Sequence, residues 1–275
     1  MLKSILVGLD ASEYSNTAIE LGYRWASQFN CLLVGLGVID SRTAGGAMPP
    51  LLPQARAAYE ELVVDTRRRI EQQIEQFSLR ASQARIASKV LEDAGYPADQ
   101  ICLEAQRYDL VMLGQQTYFH PGMEGRSCDT LQKVLRSAPR PVVVVPRTLG
   151  EGSGVLVAYD GGVQAARTLQ MFVSLGLGAI GPVHVVSVDP ESSLTASRAA
   201  DRAVEYLRLH GISANAHGIE SLEAPGSVLV HEATRHGVSL LVMGAHGQPT
   251  FKELLLGSAT ITAVQNSPVP LFLYH

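Results

Sequence analysis

Aromatic residues make up 6% of the 275 residues, with one Trp, and charged residues only 17%. A chain this poor in charge, with a net charge of -4, has no clustered Lys and Arg to meet a phosphate backbone, which excludes a nucleic-acid surface. The basic run Arg67-Arg68-Arg69 falls in a segment rich in Glu and Gln and reads as a solvated helix face. Cysteine is sparse as well. Cys31, Cys102 and Cys128 share no metal-type spacing and form no disulfide framework, so a reducing compartment is expected. No apolar run is long enough to cross a bilayer, so no membrane partner is expected. Met1 to Ile5 leads straight into a strand pattern, which predicts no signal peptide and a cytoplasmic location. Gly-x4-Gly-Lys-Ser/Thr is absent, which excludes a P-loop enzyme. His217, His231 and His236 show no ligand spacing. The last two are expected on a helix surface, and the metal content stays unassigned.

Hydrophobic residues reach 46%, ample for two ordinary cores. The chain repeats itself. Leu6-Val7-Gly8-Leu9-Asp10 returns as Leu156-Val157-Ala158-Tyr159-Asp160, and Leu110-Val111-Met112-Leu113-Gly114 as Leu240-Leu241-Val242-Met243-Gly244. Ser137-Ala138-Pro139-Arg140-Pro141-Val142 returns as Asn266-Ser267-Pro268-Val269-Pro270-Leu271, in the same order. A glycine-rich joint near residues 148–154 separates the copies, giving domains over 1–147 and 154–275. Within each copy, short apolar runs alternate with helical patterns. In the first copy strands are expected near 5–9, 31–39, 85–91, 110–113 and 141–146; the second copy repeats the plan. Strand–helix alternation of this kind calls for a parallel, doubly wound α/β sheet with helices on both faces. Ligands of such sheets sit beyond the C-terminal strand ends, where strand order reverses. Asp160 and Gly244 end two strands and fall on that rim.

The stretch Val242 to Gly247, with Gly257-Ser258 nine residues further on, reads as strand end, glycine turn, loop and helix start. Gly244 and Gly247 let the backbone turn and let a ligand come close. The helix opening at Gly257-Ser258-Ala259 offers unpaired N–H groups and a positive dipole end, which favour an anion. A Ser hydroxyl adds to it. His246, inside the stretch, reads as a residue that caps or packs the loop, or else as a contact to a phosphate or a metal, or a base. Gly-x2-Gly, nine residues, then Gly-Ser, ending in Ser-Pro-Val-Pro and a last strand, resembles the ATP-binding signature of the universal stress protein family. The resemblance covers essentially the whole chain as two consecutive domains. It implies a five-stranded, parallel, adenine-nucleotide-binding (Rossmann-like) sheet in each. It implies pairing of the two domains through their last strands, Val142–Val145 and Leu271–Leu273. It also implies that Asp160 lies beside a nucleotide held by Val188, Gly244, His246, Gly247, Gly257, Ser258 and Ala259.

The two copies are not equivalent. Aligning Gly114 with Gly244 sets Thr117 opposite Gly247, and aligning Pro139 with Pro268 sets Cys128 opposite Gly257 and Asp129 opposite Ser258, so only Gly114 survives of the four signature positions. A carboxylate where a phosphate belongs repels by about 1 kcal/mol in water and several times that in a partly buried site. The expectation is ATP, carried with Mg²⁺ on its phosphates, in the second domain alone. The chain would then be a nucleotide-responsive module read by an unknown protein partner or a second copy in a homodimer. The alternative is a weak ATPase or self-phosphorylating enzyme with Ser258 or Thr250 as acceptor; no catalytic residue is assigned. Lys252 is a further candidate phosphate contact.

Overall fold

The computed structural model describes residues 1–40, 53–119, 129–245 and 256–275. Its contacts divide the chain into two units: Lys3–Arg140, and Met1–Leu2 with Pro141–His275.

The first unit holds β1 (Ser4–Leu9), α1 (Glu13–Phe29), β2 (Leu32–Asp40), α2 (Pro53–Gln83), β3 (Ser88–Gly95), α3 (Pro97–Ala105), β4 (Leu110–Gly114) and α4 (Asp129–Ser137). Its strands lie in the order β3-β2-β1-β4, all parallel. β4 is buried along its whole length and β1 from Ile5 to Leu9. That is why they read as unbroken apolar runs: both faces of the sheet are covered. Ser12 caps α1 by accepting the Ser15 N–H, and Asn30, at φ 50°, ends it in the left-handed conformation. β3 begins three residues later than the sequence pattern predicts. Arg85 stands at φ 55°, and the Ile86 N–H bonds back to the Ala81 carbonyl. Residues 85–87 therefore close α2 rather than start the strand.

The second unit holds β5 (Val142–Val145), β6 (Val155–Ala158), α5 (Val163–Ser174), a 3₁₀ turn (Leu177–Ile180), β7 (Val183–Asp189), α6 (Ser193–Leu209), β8 (Ala214–Glu220), α7 (Pro225–Arg235), β9 (Leu240–Gly244), α8 (Ser258–Asn266) and β10 (Leu271–Tyr274). The strand order is β5-β10-β9-β6-β7-β8. All neighbours are parallel except β10 and β5, which run antiparallel with Leu271 opposite Val144, Phe272 opposite Val143 and Leu273 opposite Val142. These are the last strands of the two copies, the pairing that the family resemblance implies. By sequence β5 belongs to the first copy. By contact it belongs to the second unit, where β10 pairs with it.

The second sheet reverses direction at β6. The chain passes from β6 to β7 and β8 on one side, and returns to β9 and β10 on the other. A crevice opens at such a point beyond the C-terminal ends of the strands.

Candidate functional site

In the second unit a cleft of about 210 Å³ opens at that reversal. Asp160, Val188, Gly244, Gly257, Ser258 and Ala259, all expected from the sequence, line it. Tyr159, Pro225, Leu229, Met243 and Thr260 join them without having been singled out. Tyr159 directly precedes Asp160. Pro225 opens the helix that follows β8, so their positions on the rim follow from topology rather than from any motif. His246 and Gly247 lie outside the described residues, as do Thr250 and Lys252.

Each wall has a local cause. β6 and β9 end side by side, with Leu156 opposite Leu241 and Val157 opposite Val242. The Tyr159 N–H extends the sheet by one more bond, to the Val186 carbonyl at 2.9 Å. Gly161, at φ 79°, then turns the chain, and the Gly162 N–H holds Asp160 Oδ1 at 2.8 Å. The Asp160 side chain is left exposed on the rim. Burial, and then the Asp160 charge beside it, push the Tyr159 phenol above its usual range, so it stays a neutral hydroxyl. Thr260 Oγ1 donates to the Gly244 carbonyl at 3.2 Å and ties the start of α8 to the end of β9. Gly257 is the N-cap of α8 and supplies no side-chain cap. Ser258 is exposed and Ala259 half-buried at the first turn. Gly226 of α7 sits so close to α8 that a Cβ there would lie 2.5 Å from the Ala259 carbonyl oxygen. The result is a slot with apolar walls from Val186, Val188, Leu229 and Met243, a carboxylate at one rim, and an uncapped helix start at the other.

The corresponding place in the first unit is filled by the protein itself. Asp10 is buried; its Oδ1 accepts the Ser12 N–H at 3.0 Å and its Oδ2 the Tyr118 N–H at 2.5 Å. Burial pushes its carboxyl above the usual range, although those bonds pull the other way. Phe119 is 1% exposed and lies against Gly8, where a Cβ would be 3.0 Å from Phe119 Cζ. Gln73 reaches over from α2. Its Oε1 accepts the Ala11 N–H at 3.0 Å, and its Nε2 donates to Ser15 Oγ and Asn16 Oδ1, each at 2.7 Å. Thr117 is buried. Asp129 is the first residue of α4, as the alignment with Ser258 requires. Cys128 lies outside the described residues. The sequence points to a misplaced carboxylate; the structure adds a plug made of Phe119, Tyr118 and Gln73.

The histidines are not scattered as their spacing suggests. His231 is exposed on α7 as expected, but His236 caps the C-terminal end of that helix and is half-buried. It meets His184 of β7 and His217 of β8, with ring centroids 4.3 and 4.7 Å away. Burial, and then the neighbouring imidazoles, hold His184 and His217 below the usual imidazole range. The signal that finds them is strand register: Asn215 stands opposite His184, so His217, two residues on, shares its face.

The model of the Universal stress protein family matches residues 1–146 and again 154–275. A curated relative, universal stress protein Slr1230 from Synechocystis sp., is 25% identical over 197 residues, which cover 68% of this chain and 65% of the relative's own length. Among solved structures, a universal stress protein from Archaeoglobus fulgidus DSM 4304 superposes with a TM-score of 0.71 at 21% identity, over 98% of this chain and 95% of its own. A universal stress protein solved in complex with cAMP covers 54% of this chain and 98% of its own, at 19% identity and a TM-score of 0.31, too slight a likeness to transfer a ligand. Among the described residues, no helix is long and apolar enough to cross a membrane.

Proposed function

The chain belongs to the universal stress protein family, and from that premise we propose that its second domain holds ATP while its first serves as a nucleotide-free companion. The observation that carries this reading is the contrast between two copies of one strand-end crevice. In the second copy Asp160 is exposed, and the cleft reaches from it to the start of α8. In the first copy the equivalent Asp10 is buried and bonded to main-chain N–H groups from two directions.

The chemistry suits an adenine nucleotide. A volume of about 210 Å³ is below the roughly 300–1,000 Å³ of complete small-molecule pockets, and suits a base and sugar with the phosphates outside. Val186, Val188, Leu229 and Met243 offer apolar surface to a flat base. The Asp160 carboxylate can accept from ribose hydroxyls. The N–H groups at Ser258 and Ala259 face a phosphate chain with the favourable end of the helix dipole. Asp160 is the one carboxylate among the lining residues. Mg²⁺ would therefore rest mainly on the phosphates, as that ion commonly does. Nucleotide occupancy would then set the surface that a protein partner or a second copy reads.

Isothermal titration of Mg-ATP into the wild type, a Gly257→Ala/Ser258→Ala variant and an Asp160→Ala variant tests the assignment. Each variant is expected to bind at least tenfold more weakly, a loss of about 1.4 kcal/mol. Equal affinity in all three proteins overturns it.

A further inference from the structure

The second unit carries a cluster of three histidines outside the lining of the nucleotide cleft. His184 lies near the start of β7, His217 on the same face of β8, and His236 at the C-terminal cap of α7. The cleft lies at the other end of these elements: Val186 and Val188 further along β7, Pro225 and Leu229 on the first turns of α7. Along α7, seven residues or about 10 Å separate Leu229 of the cleft wall from His236, and along β7 Val186 lies two residues or about 7 Å beyond His184.

Three imidazoles converge there. One nitrogen from each can be chosen so that all three lie within 4.8 Å of one another. His184 Nδ1 and His217 Nε2 are already 3.1 Å apart. A tetrahedral Zn²⁺ with Zn–N bonds of 2.0–2.1 Å needs ligand nitrogens about 3.3 Å apart. The trio is therefore within about an ångström or two of a coordinating arrangement. The Glu232 carboxylate stands 3.5 Å from His236 Nε2 and also holds Arg235 at 2.8 Å. It is the carboxylate that faces His236, and it is shared with the Arg235 guanidinium, whose Nη2 stands 3.3 Å from His236 Nε2.

We propose that His184, His217 and His236 form a Zn²⁺ site of the three-histidine kind, with its fourth position open to water or to Glu232. Imidazole ligands suit zinc among the common cellular cations, whereas Mg²⁺ and Ca²⁺ ask for oxygen. The competing explanation is a metal-free imidazole stack, in which the single 3.1 Å contact is an ordinary hydrogen bond between neutral rings.

Untagged full-length protein, stripped with chelator and dialysed, is titrated with Zn²⁺ by calorimetry and separately loaded with Co²⁺. One high-affinity Zn²⁺ per chain is expected, together with the intense visible absorption of four-coordinate Co²⁺. His217→Gln and His236→Gln are each expected to weaken Zn²⁺ binding at least ~100-fold, since even losing an outer-shell partner costs 10–100-fold. The exposed His231→Gln is expected to leave it unchanged. Far-UV circular dichroism checks that each variant is folded. Zn²⁺ affinity that survives in both trio variants, or a Co²⁺ spectrum of six-coordinate type in the wild type, overturns the site. The wild-type spectrum decides the matter even if a variant fails to fold.

Discussion

Gly226→Ala is a sharp test of how the cleft is built. Gly226 is buried in the first turn of α7. An added Cβ would lie 2.5 Å from the Ala259 carbonyl oxygen, 2.9 Å from Thr262 Cβ and 3.0 Å from Ala259 Cα. Ordinary contact begins near 3.4 Å, so α7 and α8 must part by up to about 0.9 Å. Two of the three obstacles are main-chain atoms, so no side chain can simply swing away. Overpacking of this kind costs about 1–3 kcal/mol. Replacing Gly by Ala in a helix returns at most about 1 kcal/mol, and less in a first turn. The net expectation is a loss of about 1–2 kcal/mol, which lowers Tm by about 3–8 °C for a unit of this size. Because the displaced residue is Ala259, whose N–H belongs to the proposed phosphate cradle, ATP affinity should fall with it. Urea unfolding and ATP titration of the same preparation check both parts. A variant that is as stable as the wild type or more so, as helix propensity alone predicts, refutes the packing argument.

Two other perturbations probe the first unit. Phe119→Ala removes a fully buried ring and should cost about 3–5 kcal/mol in denaturant unfolding. It should create no second ATP site in titration, because Asp10, Tyr118 and Gln73 remain in place; a gained site would refute the claim that these three keep the crevice closed without Phe119. Asp10 has a carboxyl whose folded-state value lies above the ordinary 3.8. The folded protein therefore binds that proton more tightly than the unfolded chain does. Its contribution is fully present below 3.8 and is lost as pH rises through the raised value. The stability of the wild type relative to Asp10→Asn should thus decline with rising pH over that window, as measured by urea unfolding at several pH values. Parallel curves refute it.

Most of the architecture was legible because the strands that form the two sheet centres are continuous apolar runs, as in Leu6 to Leu9 and Leu240 to Met243, and because the chain states its plan twice. The outermost strands were harder. β3 and β8 are only partly buried, so their patterns carry little hydrophobic signal, and the start of β3 was displaced by a turn that only Arg85's positive φ reveals. At the site, the motif residues that the structure describes fall together because a glycine turn and a helix start lie close in sequence as well as in space. The plug in the first unit was invisible. Gln73 and Asp10 are 63 residues apart, and nothing in a helix rich in Glu and Gln marks one Gln as buried. The histidine trio was missed for the same reason: His184, His217 and His236 belong to two strands and a helix end, and only the register of β7 against β8 brings them face to face.

The antiparallel contact between Val142–Val145 and Leu271–Tyr274 also bears on how the molecule is made. Because the two ribbons are carried on one polypeptide, their meeting is unimolecular, and dilution cannot undo it. A fragment that starts at residue 154 would lose the mate of its terminal ribbon and leave four mostly apolar residues bare. It would be expected to find a replacement in another fragment, so carrying both copies on one chain makes what would otherwise be a concentration-dependent assembly step a fixed property of the chain.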